Sequence, residues 1–256
     1  MFLDCERNSS SFFCDFAKSA MTYVRAHMKF FFNNKFTMQS CLPDDNRTVT
    51  PVLTQVHSNN VVVTRVTGLL LPEEVMYVND AASHHGFDQS VVVGTDGESV
   101  IHSARTSRTA YLPKGDDPVL DCISARMATI ASHPVAHLEP LQVTRYTHGQ
   151  QYTTHSDLLG GDGGGTERTT TLFTYLDSDG LEGGMCGGAT AFPYLTDAAT
   201  GEVVRVYPHA GDAVMWSNRT LSGAANHYAD HSGEPLTCHD VSKAGINAWF
   251  RDGPWE

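Results

Sequence analysis

The sequence predicts an α+β chain that is mainly β, a jelly roll or related β-sandwich with supporting helices ahead of it. Three observations predict it. Two segments before residue 135 carry apolar residues at helical spacing. After Leu138 the chain turns to short runs rich in β-branched and aromatic residues. Gly, Pro, Asp and Asn separate those runs at short intervals, the punctuation of an all-β layer architecture.

Residues 1–60 form the first expected unit, an N-terminal helix and a linker. In "SSFFCDFAKSAMTYVRAHMKFFF", Phe13, Phe16, Ala17, Ala20, Met21, Val24, Met28 and Phe31 recur at helical spacing, with Lys18, Arg25 and Lys29 elsewhere on the wheel. No apolar run reaches the ~18 residues of a membrane span, so no transmembrane segment is expected. "NNKFTMQSCLPDDNRTVTP" reads as a connecting loop.

The second expected unit is 61–256. "NVVVTRVTGLLL" is strand-like, and "LPEEVMYVNDAASHHG" predicts a helix that opens at a proline and closes at Gly86. "SVVVG" and "ESVIHSA" read as short strands around Asp96-Gly97. "DDPVLDCISARMATIASH" sets Val119, Leu120, Ile123, Met127 and Ile130 on one helical face behind an acidic start. "LQVTRYT", "TTTLFTYL", "TAFPYL", "EVVRVYP", "DAVMWS" and "AGINAWFR" are the strands of the β half. "GGDGGG" (Gly160 to Gly165) opens no strand-to-helix unit, so it is a loop and no phosphate cradle.

Asp plus Glu number 29 against 17 Lys plus Arg, a formal net charge of −12. That disfavours a nucleic-acid partner and tolerates a cationic peptide. Six cysteines without a CxxC pair make a zinc ribbon unlikely to be specified, and the even count permits disulfides without requiring them. Sequons stand at Asn8, Asn46 and Asn218, triplets that also arise by chance.

The chemistry concentrates in "RYTHGQQYTTHSD" (Arg145 to Asp157). In a strand, His155 and Asp157 project to one face, and an imidazole beside a carboxylate suits a divalent metal such as iron. A two-His-one-carboxylate site needs a second histidine from far along the chain. His227, His231 and His239 are the candidates, because a jelly roll pairs early strands with late ones. Such a triad leaves one face of the metal open, and an anionic co-substrate there needs a fixed cation. Lys243, on the strand after these histidines, can supply it.

Five blocks in order resemble the prolyl 4-hydroxylases, 2-oxoglutarate- and Fe(II)-dependent dioxygenases. They are "SARTSRTAYL", "RYTHGQQYTTHSD", "RTTTLFTYLD" with "CGGATAFP", "HSGEPL", and "SKAGINAWFR", spread over most of residues 61–252. The resemblance implies a double-stranded β-helix (jelly roll) core. It implies His155, Asp157 and His231 as iron ligands, Lys243 on the distal carboxylate of 2-oxoglutarate with the Tyr175 hydroxyl beside it, and Tyr146 facing metal and co-substrate. Arg105, Ser107 and Arg168 fall on the implied peptide groove, whereas Tyr152 reads as a core tyrosine. Implied with them are O2 as co-substrate, ascorbate, and a proline-containing peptide or protein as substrate. His231 is preferred over His239 because Gly233 and Pro235 follow it at the family's spacing, although the interval to Lys243 is two residues longer than usual. The competing readings are the same oxygenase chemistry on a free amino acid or other small molecule, and a jelly-roll binding module without turnover. The complete set His155, Asp157, His231 and Lys243 argues against the module, which has no need of all four.

Overall fold

A computed structural model describes residues 37–57, 61–93, 98–159, 166–178, 180–220 and 222–255. The chain divides into residues 1–36 and 37–256, and every described element belongs to the second unit. The amphipathic helix expected over residues 13–31, the Asp96-Gly97 turn and the loop at 160–165 lie outside the described residues.

Two layers of antiparallel strands form the core. The larger sheet holds β3 (Val52–His57), β4 (Val63–Thr67), β5 (Asp88–Gln89), β8 (Arg108–Leu112), β9 (Leu141–Tyr146), β11 (Arg168–Asp177), β14 (Ala213–Ser217) and β16 (Lys243–Arg251), in the order β3-β4-β14-β11-β16-β9-β8-β5. The smaller sheet has the order β10-β15-β12-β13, from β10 (Tyr152–His155), β12 (Thr190–Thr196), β13 (Val203–Val206) and β15 (His231–Gly233). Two short hairpins, β1 (Met38–Gln39) with β2 (Thr48–Val49) and β6 (Val92–Val93) with β7 (Ser99–Val100), stand apart from these. Apart from the β12–β13 hairpin within the smaller sheet, the chain alternates between the two sheets from β9 onward, which makes the core the expected jelly roll. One boundary differs from expectation. The sheet begins at Val52, inside the stretch read as linker, because "VLTQVH" pairs with β4 and covers what would be its open edge.

Both expected helices form. The first, α1 (Pro72–His85), starts on Pro72, and Glu74 reaches back to accept from the Leu71 N–H at 2.9 Å. The second, α2 (Pro118–Ala131), is capped by Asp117, whose carboxylate accepts from Val119 and Leu120 N–H. It buries Val119, Leu120, Ile123, Met127 and Ile130, the face the periodicity predicts. Glu74 and Arg126 pair at 2.6 Å in full burial. Arg126 also donates to the Leu69 and Gln39 carbonyls, and Glu74 accepts from Cys41 N–H. Though Arg126 Nε is left without a partner, these bonds tie the two helices and the first hairpin together.

Two disulfides that the sequence left open are present, Cys41–Cys122 and Cys186–Cys238. Each closes a long loop and so removes conformational freedom from the unfolded chain. The Asn218 sequon is not a glycosylation site: its side chain is buried and committed to internal hydrogen bonds, whereas Asn46 is exposed.

Candidate metal centre

Strand pairing builds the centre. β10 ends at His155, β15 opens at His231, and the antiparallel register sets these two residues opposite each other. Asp157 follows two residues after His155, past the end of β10, and its carboxylate still turns to the same centre. One nitrogen from each imidazole and one carboxylate oxygen lie within 4.8 Å of one another. His155 Nε2 is 3.8 Å from Asp157 Oδ1, and His231 Nε2 is 3.6 Å from Asp157 Oδ2. His239 takes no part and stacks on His148, ring centroids 3.7 Å apart.

The outer nitrogens show which atoms are available. His155 Nδ1 is 2.8 Å from the Thr153 carbonyl, and His231 Nδ1 is 3.1 Å from the Ala229 carbonyl. A carbonyl only accepts, so each Nδ1 carries a proton, and Nε2 is the nitrogen turned toward the centre. Burial, helped by His231, pushes the His155 pKa down to about 3, which keeps the ring neutral. Burial alone would raise the Asp157 carboxyl, but His231, His155, Arg168 and the Thr171 hydroxyl more than offset it and hold it below the usual range. Two imidazoles that turn Nε2 to an ionised carboxylate fit divalent iron with positions left open.

A cavity of about 30 Å³ adjoins the triad, walled by Tyr146, Phe173, Thr190, Trp216, Lys243 and Asn247. Lys243 is 3% exposed, and among the described residues no carboxylate stands within ion-pair distance of it. Its ammonium donates to the Gly188 carbonyl at 2.7 Å and sits 5.5–5.8 Å from the rings of Tyr146, Phe173 and Tyr175. Burial pulls its pKa down to about 7. Gly245, two residues on, makes this packing possible, since a Cβ there would meet the Phe173 ring at 2.3 Å. The Cys186–Cys238 disulfide closes the segment that carries Gly188, whose N–H donates to the Pro235 carbonyl.

A wider cleft of about 300 Å³ opens on the other side of His155 and Asp157, lined by Arg105, Tyr111, Tyr152, Leu158, Arg168 and Trp249 among others. Arg105 donates to the Val91 carbonyl and, at 2.7 Å, to Gln142 Oε1. Arg168 is clamped to Glu139 at 2.7 Å and lies flat over the Trp249 ring, 3.6 Å from its centroid.

Three sequence readings change here. Tyr175 is beside Lys243, but its hydroxyl donates to Thr190 Oγ1 at 2.9 Å and faces the Val206 carbonyl, so Thr190 and not Tyr175 lines the cavity. Ser107 is not on the groove; it is fully buried and shares a hydrogen bond with Ser90 Oγ at 2.7 Å. Tyr152 is no mere core residue, since its ring stacks on His155 at 3.5 Å and lines both spaces. The Thr of "CGGATAFP" was the available signal for Thr190, and "YTTH" for Tyr152, whose ring shares the His155 strand.

Residues 141–251 match the family model for the 2OG-Fe(II) oxygenase superfamily. Curated relatives include prolyl 4-hydroxylase subunit alpha-2 of Gallus gallus, 28% identical over 74% of this chain and 34% of that protein. Another is prolyl 4-hydroxylase 2 of Arabidopsis thaliana, 27% identical over 66% of this chain and 60% of that protein. The chain therefore spans only part of the length of these relatives. Among solved structures, a viral collagen prolyl hydroxylase of Paramecium bursaria Chlorella virus-1 in its 2OG complex shares the fold. Its TM-score is 0.56 at 23% identity, covering 74% of this chain and 95% of that one. A Trichoplax adhaerens prolyl hydroxylase in complex with a hypoxia inducible factor peptide fragment gives a TM-score of 0.54 at 17% identity, over 76% of this chain and 84% of that one. The ordered blocks, the jelly roll and the His-Asp-His cluster agree with the match of residues 141–251 to the 2OG-Fe(II) oxygenase superfamily and with the chain's similarity to prolyl 4-hydroxylases.

Proposed function

We propose that this chain is a 2-oxoglutarate- and Fe(II)-dependent dioxygenase that hydroxylates prolyl residues, at the 4-position, in peptides or proteins, releasing succinate and CO2. The observation that carries this reading is a buried lysine with no ion-pair partner among the described residues, across a small cavity from a His-Asp-His cluster. A buried ammonium is costly unless an anion joins it, and 2-oxoglutarate brings a carboxylate at each end. Lys243 would hold the distal one, with the Thr190 hydroxyl as a second partner in place of Tyr175. His155, Asp157 and His231 would hold the iron through Nε2, a carboxylate oxygen and Nε2. Iron with 2-oxoglutarate and O2 supplies the power to replace an unactivated C–H by C–OH, and ascorbate serves as the reductant that keeps the iron ferrous.

The protein's share of the work is position. Lys243 and Tyr146 orient the co-substrate, while Phe173 and Trp216 exclude water from the small cavity. Arg105, Arg168, Tyr152 and Trp249 offer the cleft both donors and aromatic faces. Such a surface suits an extended peptide, and a proline-rich one loses little entropy when it binds. The relatives' names point the same way, since both are prolyl 4-hydroxylases.

The test combines the protein, Fe(II), ascorbate and 2-oxoglutarate with proline-rich peptides and with free proline. Succinate release matched by a peptide mass gain of one oxygen atom is the expected result. Succinate without a modified peptide, or faster oxidation of free proline, would sink the peptide reading and leave the oxygenase one.

A further inference from the structure

Behind Asp157 stand two side chains that the proposed chemistry does not use. Thr171, on β11, is fully buried and donates its hydroxyl hydrogen to Asp157 Oδ2 at 2.6 Å. Asn218, one residue past β14 and 2% exposed, places Nδ2 3.0 Å from Thr171 Oγ1 and 3.2 Å from the Arg168 carbonyl. That carbonyl can only accept. The amide is therefore oriented with its nitrogen toward both, because a flipped amide would set two oxygens against each other. A threonine hydroxyl has one hydrogen and two lone pairs. With Asn218 donating to a lone pair, the single hydrogen of Thr171 goes to Asp157. Asn218 is itself held by the backbone, its N–H donating to the Thr169 carbonyl and its own carbonyl accepting from Asn226. The direction of every bond in the chain is thus fixed from the sheet outward.

We propose that Thr171, oriented by Asn218, is a positioning residue for the metal-binding carboxylate: it anchors Oδ2 of Asp157 and leaves Oδ1 to the metal. This rests on the metal reading of the triad. Its partners Nε2 of His155 and His231 are fixed by backbone carbonyls, as described above. Asp157 sits in the segment after β10, outside the ladder, so a side-chain bond from β11 does for it what the ladder does for the histidines.

The test titrates the metal-free full chain with Co(II) and reads uptake by calorimetry and by the visible absorption of the bound ion. Thr171→Val keeps the β-branched shape and removes the hydroxyl, whereas Thr171→Ser keeps the hydroxyl. Partners behind metal ligands typically contribute 10–100-fold in affinity, so Thr171→Val should bind Co(II) ~10–100-fold more weakly with an altered spectrum, and Thr171→Ser within ~3-fold of the unaltered chain. Asn218→Ala should weaken uptake in the same direction, by less. Unchanged uptake in Thr171→Val overturns the proposal. So does equal weakening in Thr171→Ser, which would assign the effect to methyl packing. If the unaltered chain takes up no Co(II), the metal reading falls and this inference with it.

Discussion

The small cavity and the wider cleft are made of different material. The small cavity takes Lys243, Phe173 and Tyr146 from β16, β11 and β9, which are neighbours in the larger sheet with Lys243 opposite Tyr146. Its space is about 30 Å³ and its cation is buried. The cleft is about 300 Å³, and one wall is the short hairpin of β6 and β7 with Leu158 and Leu159 beyond β10. On the proposed function, the larger sheet holds the co-substrate through Lys243, the short strands β10 and β15 hold the iron through His155 and His231, and the choice of substrate falls to the rim.

The sharpest way to break this contrast is to remove a triad side chain. His155→Ala, Asp157→Ala or His231→Ala should each abolish turnover and weaken metal binding by more than the ~10–100-fold that even partners behind ligands contribute. His239→Ala should keep both, since that ring stacks on His148 away from the centre. Metal uptake by calorimetry decides it, and strong uptake in His231→Ala would move the ligand elsewhere.

Next in size is Lys243. Lys243→Ala should raise the 2-oxoglutarate requirement about 30-fold or more, because an unpaired buried carboxylate typically costs ~2–5 kcal/mol. Lys243→Arg should rescue in part, the planar fork fitting a site shaped for an ammonium poorly. The same residue gives a pH signature. Its pKa is about 7 without a partner, so 2-oxoglutarate binding should weaken as pH rises above that value and the ammonium is lost. The sign for folding is opposite. The folded pKa lies below an ordinary lysine's 10.5, so the unfolded chain holds the extra proton between them and stability from this group rises with pH over that window. A 2-oxoglutarate affinity that is flat from pH 6.5 to 9 (a window of about one unit or more around the lysine's midpoint) would remove Lys243 from the role.

On the cleft side the largest expected effect is smaller. Arg105→Ala should lower kcat/KM for a proline-rich peptide about tenfold, ~1.4 kcal/mol, while the slow turnover of 2-oxoglutarate without peptide stays unchanged. Arg105 stands over the Tyr152 ring and lines the cleft, and it borders the small cavity too, but its hydrogen bonds go to Val91 and Gln142 and none goes to Lys243 or Asp157. Equal loss of both activities would place it in the chemistry instead.

The same contrast governs what the sequence could disclose. His155 and Lys243 were legible because a pairing of early with late strands is a simple rule that the sheet obeys, and Asp157 because it follows His155 by two residues, although it lies past the end of β10. Both helices were legible from Pro72, Asp117 and the spacing of Ile123, Met127 and Ile130. Between His231 and His239 the following Gly233 and Pro235 favour His231, and the register that sets His231 opposite His155 is a property of the folded sheet. The Tyr175 hydroxyl was less legible: its position next to Lys243 follows from strand order, but the direction of its hydroxyl depends on Thr190, fifteen residues on across a loop. The disulfides were illegible because pairing across separations of 81 and 52 residues is a property of the whole fold.

The smallest predicted effect tests the correction at Ser107. Its block reads as groove-lining, yet the strand turns its hydroxyl inward to Ser90, which also meets Thr109 Oγ1 at 2.7 Å. The Ser107 carbonyl meanwhile accepts from Ser90 N–H and Gln89 Nε2, so the backbone here ties the β5 segment to β8. Ser107→Ala removes one member of a hydroxyl chain that is buried and contacts no cleft residue. It should cost ~1 kcal/mol of stability, the usual net worth of a buried neutral hydrogen bond, while leaving peptide kcat/KM nearly unchanged. Chemical denaturation and peptide kinetics on one preparation separate the two. A stable variant with impaired peptide use would return Ser107 to the groove, and would mean that the rim reshapes when substrate arrives.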